Sequence, residues 1–591
     1  MRYALEGAPS EMSEGTKSQA SGSRWKTLLQ KRLAHLQQRE DQVFLVLALV
    51  IGALTGVTVV AFILLTERLG MRLYPVGSAA WRRVLIPVLG SLGMGYLLFR
   101  YFPNARGSGV PQTKAALFAR GGVITIRTVF GKFLCTSATL ASGIPLGREG
   151  PAVQVGGGIA SVLGRLLGLR SEQVKKLIPV GAAAAIAAAF NTPLAAVLFS
   201  LEEIVGDLHA PVLGSVVLAS ATSWMVLHVL LGNSPLFNVP QYQLVHPLEF
   251  AVYAVLGVLG GLVSVAFTKL LLSMRERFLR FPAKTLWFQP VAGGLLVGLM
   301  GWFVPQVLGV GYGYVGDALN GRMALHLMVL LVVLKLLAVT TSYASGNAGG
   351  IFGPSLFIGA MLGGAVGTVA HRLLPAHTAT PGAYALVGMG AVFAGIVRTP
   401  MTSVLMIFEM TQDYAVIVPL MISNLVSFFI SSRLQQQPIY EVLAIQDGIH
   451  LPSAEARQRR GQLQIIQVMR PATEVLPTQM TVQEALERVA ASEFRAWPVT
   501  DGQGVVGVIG LPALKRELSE GPAKQISELV DVRSFPHVHA DQALDLALER
   551  MGLTHLEMLP VVSRADVHKL EGIITLRDVL ASYGVGPNSP A

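Results

Sequence analysis

The sequence predicts an all-α polytopic membrane protein made of two repeated halves with broken or re-entrant helices, followed by a smaller soluble α/β pair. Three observations carry this. Of 591 residues, 52% are hydrophobic and only 14% charged, with a mean hydropathy of +0.55, where a soluble domain holds about 25% charged residues. The chain contains 62 glycines and 32 prolines, so its helices either pack very closely or are often interrupted. Two stretches about 200 residues apart also repeat each other. Disulfide-stapled and collagen-like classes are excluded, because Cys135 has no second cysteine and no Gly-X-Y period runs through the chain.

Taken in order, residues 1–42 form a polar head ending in Arg24, Lys26, Lys31, Arg32 and Arg39. The apolar run starts only at Val43 and lacks a short signal core with a small-residue cleavage site, so the head is read as a cytoplasmic segment. Apolar segments follow at 43–65, 84–99, 124–146, 151–168, 176–201, 211–231, 249–273, 289–309, 324–344, 351–370, 384–408 and 415–430. Several are too short, or too broken by Gly and Pro, to cross ~30 Å as one helix. Irregular backbone inside a bilayer survives only against protein or a water-filled cavity, so the breaks point to a pathway. The membrane part, 43–440, is followed by a linker at 441–465, an α/β module at 466–585 and a tail at 586–591.

The net charge of +11 resembles a nucleic-acid signal until it is divided. Residues 1–440 carry 32 basic against 16 acidic groups, and residues 441–591 carry 14 against 19. The surplus therefore belongs to membrane-flanking loops, and no nucleic-acid partner is expected.

The repeat sets GAAAAIAAAFNTPLAAVLFSLEE (181–203) over GMGAVFAGIVRTPMTSVLMIFEM (388–410), with Thr192-Pro193 over Thr399-Pro400 and Glu202 over Glu409, at an offset of 207. GREGP (147–151) lies over GIFGP (350–354) at an offset of 203. The halves span about 43–232 and 249–436. Paired Gly/Pro-interrupted segments in corresponding places mark a transporter's binding site.

Few ionisable groups fall at membrane depth, and each costs roughly 2.5–3.5 kcal/mol there. Lys335 and Arg398 are read as interface or loop cations. In GSGVP (107–111), GREGP and GIFGP, glycine lets the backbone approach a ligand and proline starts a helix. Such helix starts turn N–H groups and a positive dipole end toward an anion without a full cation binding it too tightly. Glu149 is then an anion placed where an anion should bind. It either occupies that site and vacates it when protonated, or simply caps its own helix.

GSGVP, GREGP, GIFGP and the late Tyr440 in QQPIYEVL, in this order, resemble the CLC family of chloride channels and proton-coupled chloride transporters. The resemblance covers about residues 40–445 and implies inverted halves and a homodimer with one pathway per subunit. By resemblance, Ser108, Gly109 and Tyr440 hold the anion together with backbone N–H groups of Ile351 and Phe352, and Glu149 is the gating glutamate. Val110 departs from the family's usual isoleucine and leaves the serine intact. Ser108 favours chloride over nitrate and argues against fluoride selectivity. Family exchangers carry a second, intracellular acid, which corresponds here to Glu203, so chloride/proton exchange is the expected activity, with chloride, protons and the lipid bilayer as partners. A passive chloride channel is the alternative, in which Glu203 is only a helix-end charge.

The C-terminal runs 497–514 and 559–580 each read as strand, turn, strand, helix, preceded by amphipathic helices at 481–492 and 540–552. Together they resemble a tandem CBS pair, a type that often binds adenine nucleotides. Thr575 and Asp578 in GIITLRD are the residues such a site would use. Gly510 and Ala513 replace them in the first copy, so at most one nucleotide is expected, and Asp578 can equally be a helix cap. No other cofactor and no metal are called for. A hydrolase would have Ser108 without an adjacent base, and a cation transporter would need a carboxylate cluster that is missing from the sequence pattern. A multi-pass bacterial cell-membrane protein with cytoplasmic termini, and no enzyme, is the expectation.

Overall fold

The structure, a computed structural model, describes residues 40–73, 79–208, 211–449 except 233–235, 238, 241 and 243, and 463–582 except 522, 531–534 and 555. The basic residues of the head, most of the linker and the 586–591 tail lie outside these residues. Contacts divide the chain into two units, Met1–Leu451 and Pro452–Ala591.

In the first unit, two series of eight helices follow the same order among the described residues. The first half has α1 (Glu40–Leu73), α2 (Ala80–Arg100), α3 (Val110–Phe118), α4 (Ile126–Ala141), α5 (Glu149–Leu166), α6 (Ser171–Phe190), α7 (Pro193–Phe199) and α8 (Leu213–Leu231). The second has α9 (Glu249–Leu279), α10 (Pro290–Phe303), α11 (Tyr312–Leu319), α12 (Leu325–Ala344), α13 (Phe352–Leu373), α14 (Pro381–Val397), α15 (Pro400–Thr411) and α16 (Ile417–Leu434). A seventeenth helix, α17 (Ile439–Gln446), follows. Eight helices among the described residues are long and apolar enough to cross a membrane. The short α3 and α11, with 9 and 8 residues, cannot cross one. No apolar segment marked them in the sequence, because Gln112, Lys114 and Asp317 interrupt them.

Packing repeats with the helices. α5 lies on α6 as α13 lies on α14, and α1 on α8 as α9 on α16. Gly156 of α5 meets Gly181 of α6, and Gly359 of α13 meets Gly388 of α14, so closely that neither pair has room for a Cβ; these glycines serve close packing. Both Thr-Pro helices follow a residue in the left-handed conformation, Asn191 at φ 60° and Arg398 at φ 67°. Each half then completes the other. Glu409 at the end of α15 accepts from the N–H groups of Leu194 (2.9 Å) and Ala195 (2.7 Å), which open α7. Glu202, just beyond α7, accepts from Thr402 N (2.9 Å) and Oγ1 (2.6 Å) at the start of α15. Such an exchange of equivalent contacts is what a pseudo-two-fold axis between inverted halves produces.

The second unit holds the two α/β copies. In the first, β1 (Leu476–Pro477) pairs parallel with β2 (Ala496–Asp501), which pairs antiparallel with β3 (Gly504–Gly510), flanked by α18 (Val482–Arg488) and α19 (Leu511–Glu520). The second has α20 (Leu544–Thr554), the antiparallel pair β4 (Met558–Val562) and β5 (Leu570–Thr575), and α21 (Leu576–Ser582). Arg470, which precedes the first copy, exchanges both backbone hydrogen bonds with Ile573 of β5 at 2.8 Å.

Glu409→Ala strips two helix-start N–H groups of their acceptor and is expected to cost about 1–2 kcal/mol, read as a lower thermal midpoint of the detergent-solubilised protein with the transport ratio unchanged.

Candidate functional site

The two Gly-x-x-Gly-Pro breaks meet at the centre of the first unit. Gly147 N donates to Gly350 O and Gly350 N to Gly147 O, each at 2.7 Å. From this bridge α5 and α13 begin, two and two residues further on. Gly109 at the start of α3 is packed against Gly150 O without space for a side chain, and Gly150 in turn against Ser108 O. The starts of α3, α5 and α13 are therefore within contact of one another, and α11 joins them through Tyr312. Helix starts carry partial positive charge and undonated N–H groups.

Ser108 is fully buried, and its Oγ has no hydrogen-bond partner among the described residues. Its backbone N–H donates to the Tyr343 hydroxyl at 3.2 Å. The N–H of Gly109 is taken by Gln112 Oε1 at 2.9 Å, so what Gly109 contributes is its φ of +105°, a turn that needs glycine. Tyr440, on α17 against α3, is 1% exposed and its hydroxyl likewise has no partner among the described residues. A buried hydroxyl without a partner costs about 1–3 kcal/mol, and such groups call for an ion, a water or a ligand. Ile351 and Phe352 are both fully buried. The Phe352 ring is wedged among Phe190, Phe199 and Phe393 at centroid distances of 5.7, 5.0 and 4.6 Å, which fixes the first turn of α13.

Glu149 does not cap its own helix. It is fully buried, and its carboxylate crosses to the other half: Oε2 accepts from Gly353 N at 3.3 Å and Oε1 from the Tyr312 hydroxyl. An anionic side chain thus sits on the positive end of α13. Beside it is a cavity of about 610 Å³ lined by Glu67, Met71, Leu140, Arg148, Val310 and Tyr312, among others. Arg148 pairs with Glu67 at 3.1 Å and lies 5.7 Å from the Tyr312 ring centre.

Two lysines hold the flanking loops. Lys132 Nζ donates to Ala105 O (2.9 Å) and Gly107 O (2.6 Å), and Lys335 Nζ to Val307 O (3.0 Å) and Gly309 O (2.6 Å). Both are 0% exposed. Lys335 is therefore no interface or loop cation: it is a core group satisfying two carbonyls and facing Phe357 at 4.3 Å. Arg398 does lie at a helix end, where it donates to Gln436 O at 2.8 Å and to Gln435 O. The 203-residue spacing of Lys132 and Lys335 equals that of GREGP and GIFGP, a signal by which the pair could have been found.

Glu202 and Glu203 lie in a π-helical turn, Ser200–Val205, after α7; such turns often mark functional positions. Glu202 is engaged on α15, and Glu203, 6% exposed, forms an ion pair with the equally buried Lys114 of α3 at 2.7 Å. Nothing around Lys114 in the sequence signals this pairing. Just after α17, Asp447 accepts from Arg275 (2.5 Å) and Gln112 (3.2 Å), tying the Tyr440 helix to α9 and α3.

In the second unit, Thr575 Oγ1 donates to Asp578 Oδ2 at 2.6 Å and Asp578 N to Thr575 Oγ1 at 3.2 Å. Arg470 also pairs with Asp578. This is a capping arrangement at the start of α21. A cleft of about 700 Å³ in this unit is lined instead by Arg495, Leu511, Lys515, Arg516, Thr554 and Glu557, among others.

Residues 90–432 match the family described as voltage gated chloride channel, and residues 465–520 and 526–584 match the CBS domain. The chain is 34% identical over 354 residues to the H(+)/Cl(-) exchange transporter ClcA of Vibrio campbellii, covering 59% of this chain and 76% of that protein. It is 32% identical over 413 residues to the transporter of the same name from Vibrio parahaemolyticus, covering 68% and 88%. The solved structure of a slow cyanobacterial Cl-/H+ antiporter superposes with a TM-score of 0.64 at 28% identity, covering 68% of this chain and 97% of that one. With its inverted halves, its paired helix breaks and its C-terminal copies, the chain belongs to the voltage-gated chloride channel (CLC) family and carries two CBS domains.

Proposed function

We propose that this protein exchanges chloride for protons across a membrane, with Glu149 as the gating glutamate and Glu203 as the internal proton glutamate. The observation that carries this reading is the seat of Glu149. Its carboxylate rests on Gly353 N–H, in a group of helix starts that also buries the unsatisfied hydroxyls of Ser108 and Tyr440. Groups that bind a carboxylate also bind a halide, so an entering anion competes with Glu149 for the same positive end. Once displaced, the carboxylate takes up a proton from the cavity beside Arg148, and the neutral acid no longer competes. Its return delivers the proton inward, where Glu203 provides a route to the cytoplasmic side that is separate from the anion's. The names of the relatives favour exchange over conduction.

A passive channel is favoured by one feature, the buried Lys114–Glu203 pair at 2.7 Å. A buried ion pair of this kind suits a structural role better than a proton relay.

The protein is proposed as a homodimer in the bacterial cell membrane with cytoplasmic termini, acting as a transporter and not as an enzyme. For the CBS pair, at most one adenine nucleotide is proposed, at Thr575 and Asp578, where it would have to displace Arg470. A thermal shift with millimolar ATP that disappears in Asp578→Asn supports this, and no shift in the unaltered protein removes it.

Reversal potentials of the reconstituted protein test the main reading. Exchange predicts a potential that moves with both the chloride and the pH gradient; a potential set by chloride alone establishes the channel. Glu149→Ala is expected to keep chloride flux and lose proton movement, and Glu203→Gln to lose proton movement as well. Ser108→Ala and Tyr440→Phe each remove one donor to a charged ligand, so chloride affinity measured calorimetrically is expected to fall by about tenfold each.

A further inference from the structure

We infer that the Tyr312 hydroxyl is a latch that holds Glu149 in its docked position, a positioning role that rests on the proposed displacement of Glu149 by an anion. Tyr312 is the first residue of α11, and its loop is the counterpart of the Ser108 loop. Gly107 and Gly109 recur as Gly309 and Gly311 at an offset of 202, and all four have positive φ. Lys132 grips the first loop and Lys335 the second through corresponding carbonyls. The loops differ in what they present. The first offers the Ser108 hydroxyl, with Val310 in the corresponding place; the second offers a phenol at the place of Val110.

The phenol is built to stay still. Gly311 at φ +85° sets its direction, the ring packs edge-on to Phe237 at 5.8 Å, and Arg148, itself held by Glu67, covers the ring. The carboxylate it binds sits on a flexible side chain. A stationary donor and a mobile acceptor form a latch whose release is the movement of the acceptor. Tyr312 also belongs to the cavity wall, so the residue whose hydroxyl binds the fully buried carboxylate also faces the cavity. A hydroxyl donating to a carboxylate is among the stronger hydrogen bonds. It deepens the docked state with which an entering anion competes for the Gly353 N–H.

Tyr312→Phe removes only the hydroxyl and keeps the contacts with Phe237 and Arg148. Chloride efflux from liposomes at sub-saturating chloride is expected to rise on the order of tenfold, with calorimetric chloride affinity rising in the same sense. In a Glu149→Ala background the same substitution is expected to change efflux less than about twofold, because nothing is left to latch. Unchanged efflux and affinity in the single variant overturn the proposal. An equal increase in the Glu149→Ala background also overturns it, since Tyr312 would then act on the cavity and not on the carboxylate. If Glu149→Ala alone retains proton movement, the exchange reading fails, and the Tyr312 comparison still reads as anion flux. Size-exclusion profiles and thermal midpoints matching the unaltered protein establish that each variant is folded.

Discussion

The reciprocal hydrogen bonds between Gly147 and Gly350 put the chain's helix starts in one place, and the rest of the membrane unit follows from that constraint. A helix start is useful to an ion only if its N–H groups face inward at membrane depth, and such backbone is stable only when wrapped in protein. Bringing several starts together requires backbones to touch. That explains the glycines at 109 and 150, the prolines that begin the helices, and the short α3 and α11, which begin at the centre. The long helices then serve as a wall, shielding these polar ends from lipid.

A symmetric frame carries asymmetric chemistry. The repeat offsets set Glu149 over Phe352, Ser108 over Val310, and Glu203 over Met410. Where the halves agree, as in Glu202 with Glu409 or Lys132 with Lys335, the residues hold the frame by capping helices or satisfying carbonyls. Where they differ, the residues surround the bridge or pair with α3, which starts beside it. Glu202 and Glu203 are neighbours in sequence, and this rule separates them: the first has a counterpart and caps a helix, the second has none.

How much could be read in advance depended on distance along the chain. The halves, their breaks and the strands at 497–510 and 559–575 were legible, because each signal lies within a few residues or recurs at a fixed offset. Glu149 was singled out, but the hydrogen bond that defines it comes from Tyr312, 163 residues away, and an aromatic in an apolar chain looks like any other core residue. Lys335 misled because an isolated lysine among apolar residues looks like an anchor at the membrane surface. Only its partners, the carbonyls of Val307 and Gly309, show that it belongs to the interior. Lys114 was invisible as the partner of Glu203 because the two are joined by folding alone. In the CBS pair the Thr575–Asp578 pattern was visible, but not that Arg470 reaches the same carboxylate.

The exchanged caps, Glu202 on α15 and Glu409 on α7, bear on how safely such a protein can be made. Neither half finishes its own Thr-Pro helix, and neither Gly-x-x-Gly-Pro break has a partner until the other arrives. A half-translated or partly unfolded chain therefore has no assembled passage, only helices with unsatisfied ends. An open hole in the membrane would be costly to a cell during synthesis, and this arrangement ties assembly of the central helix starts to completion of the whole unit.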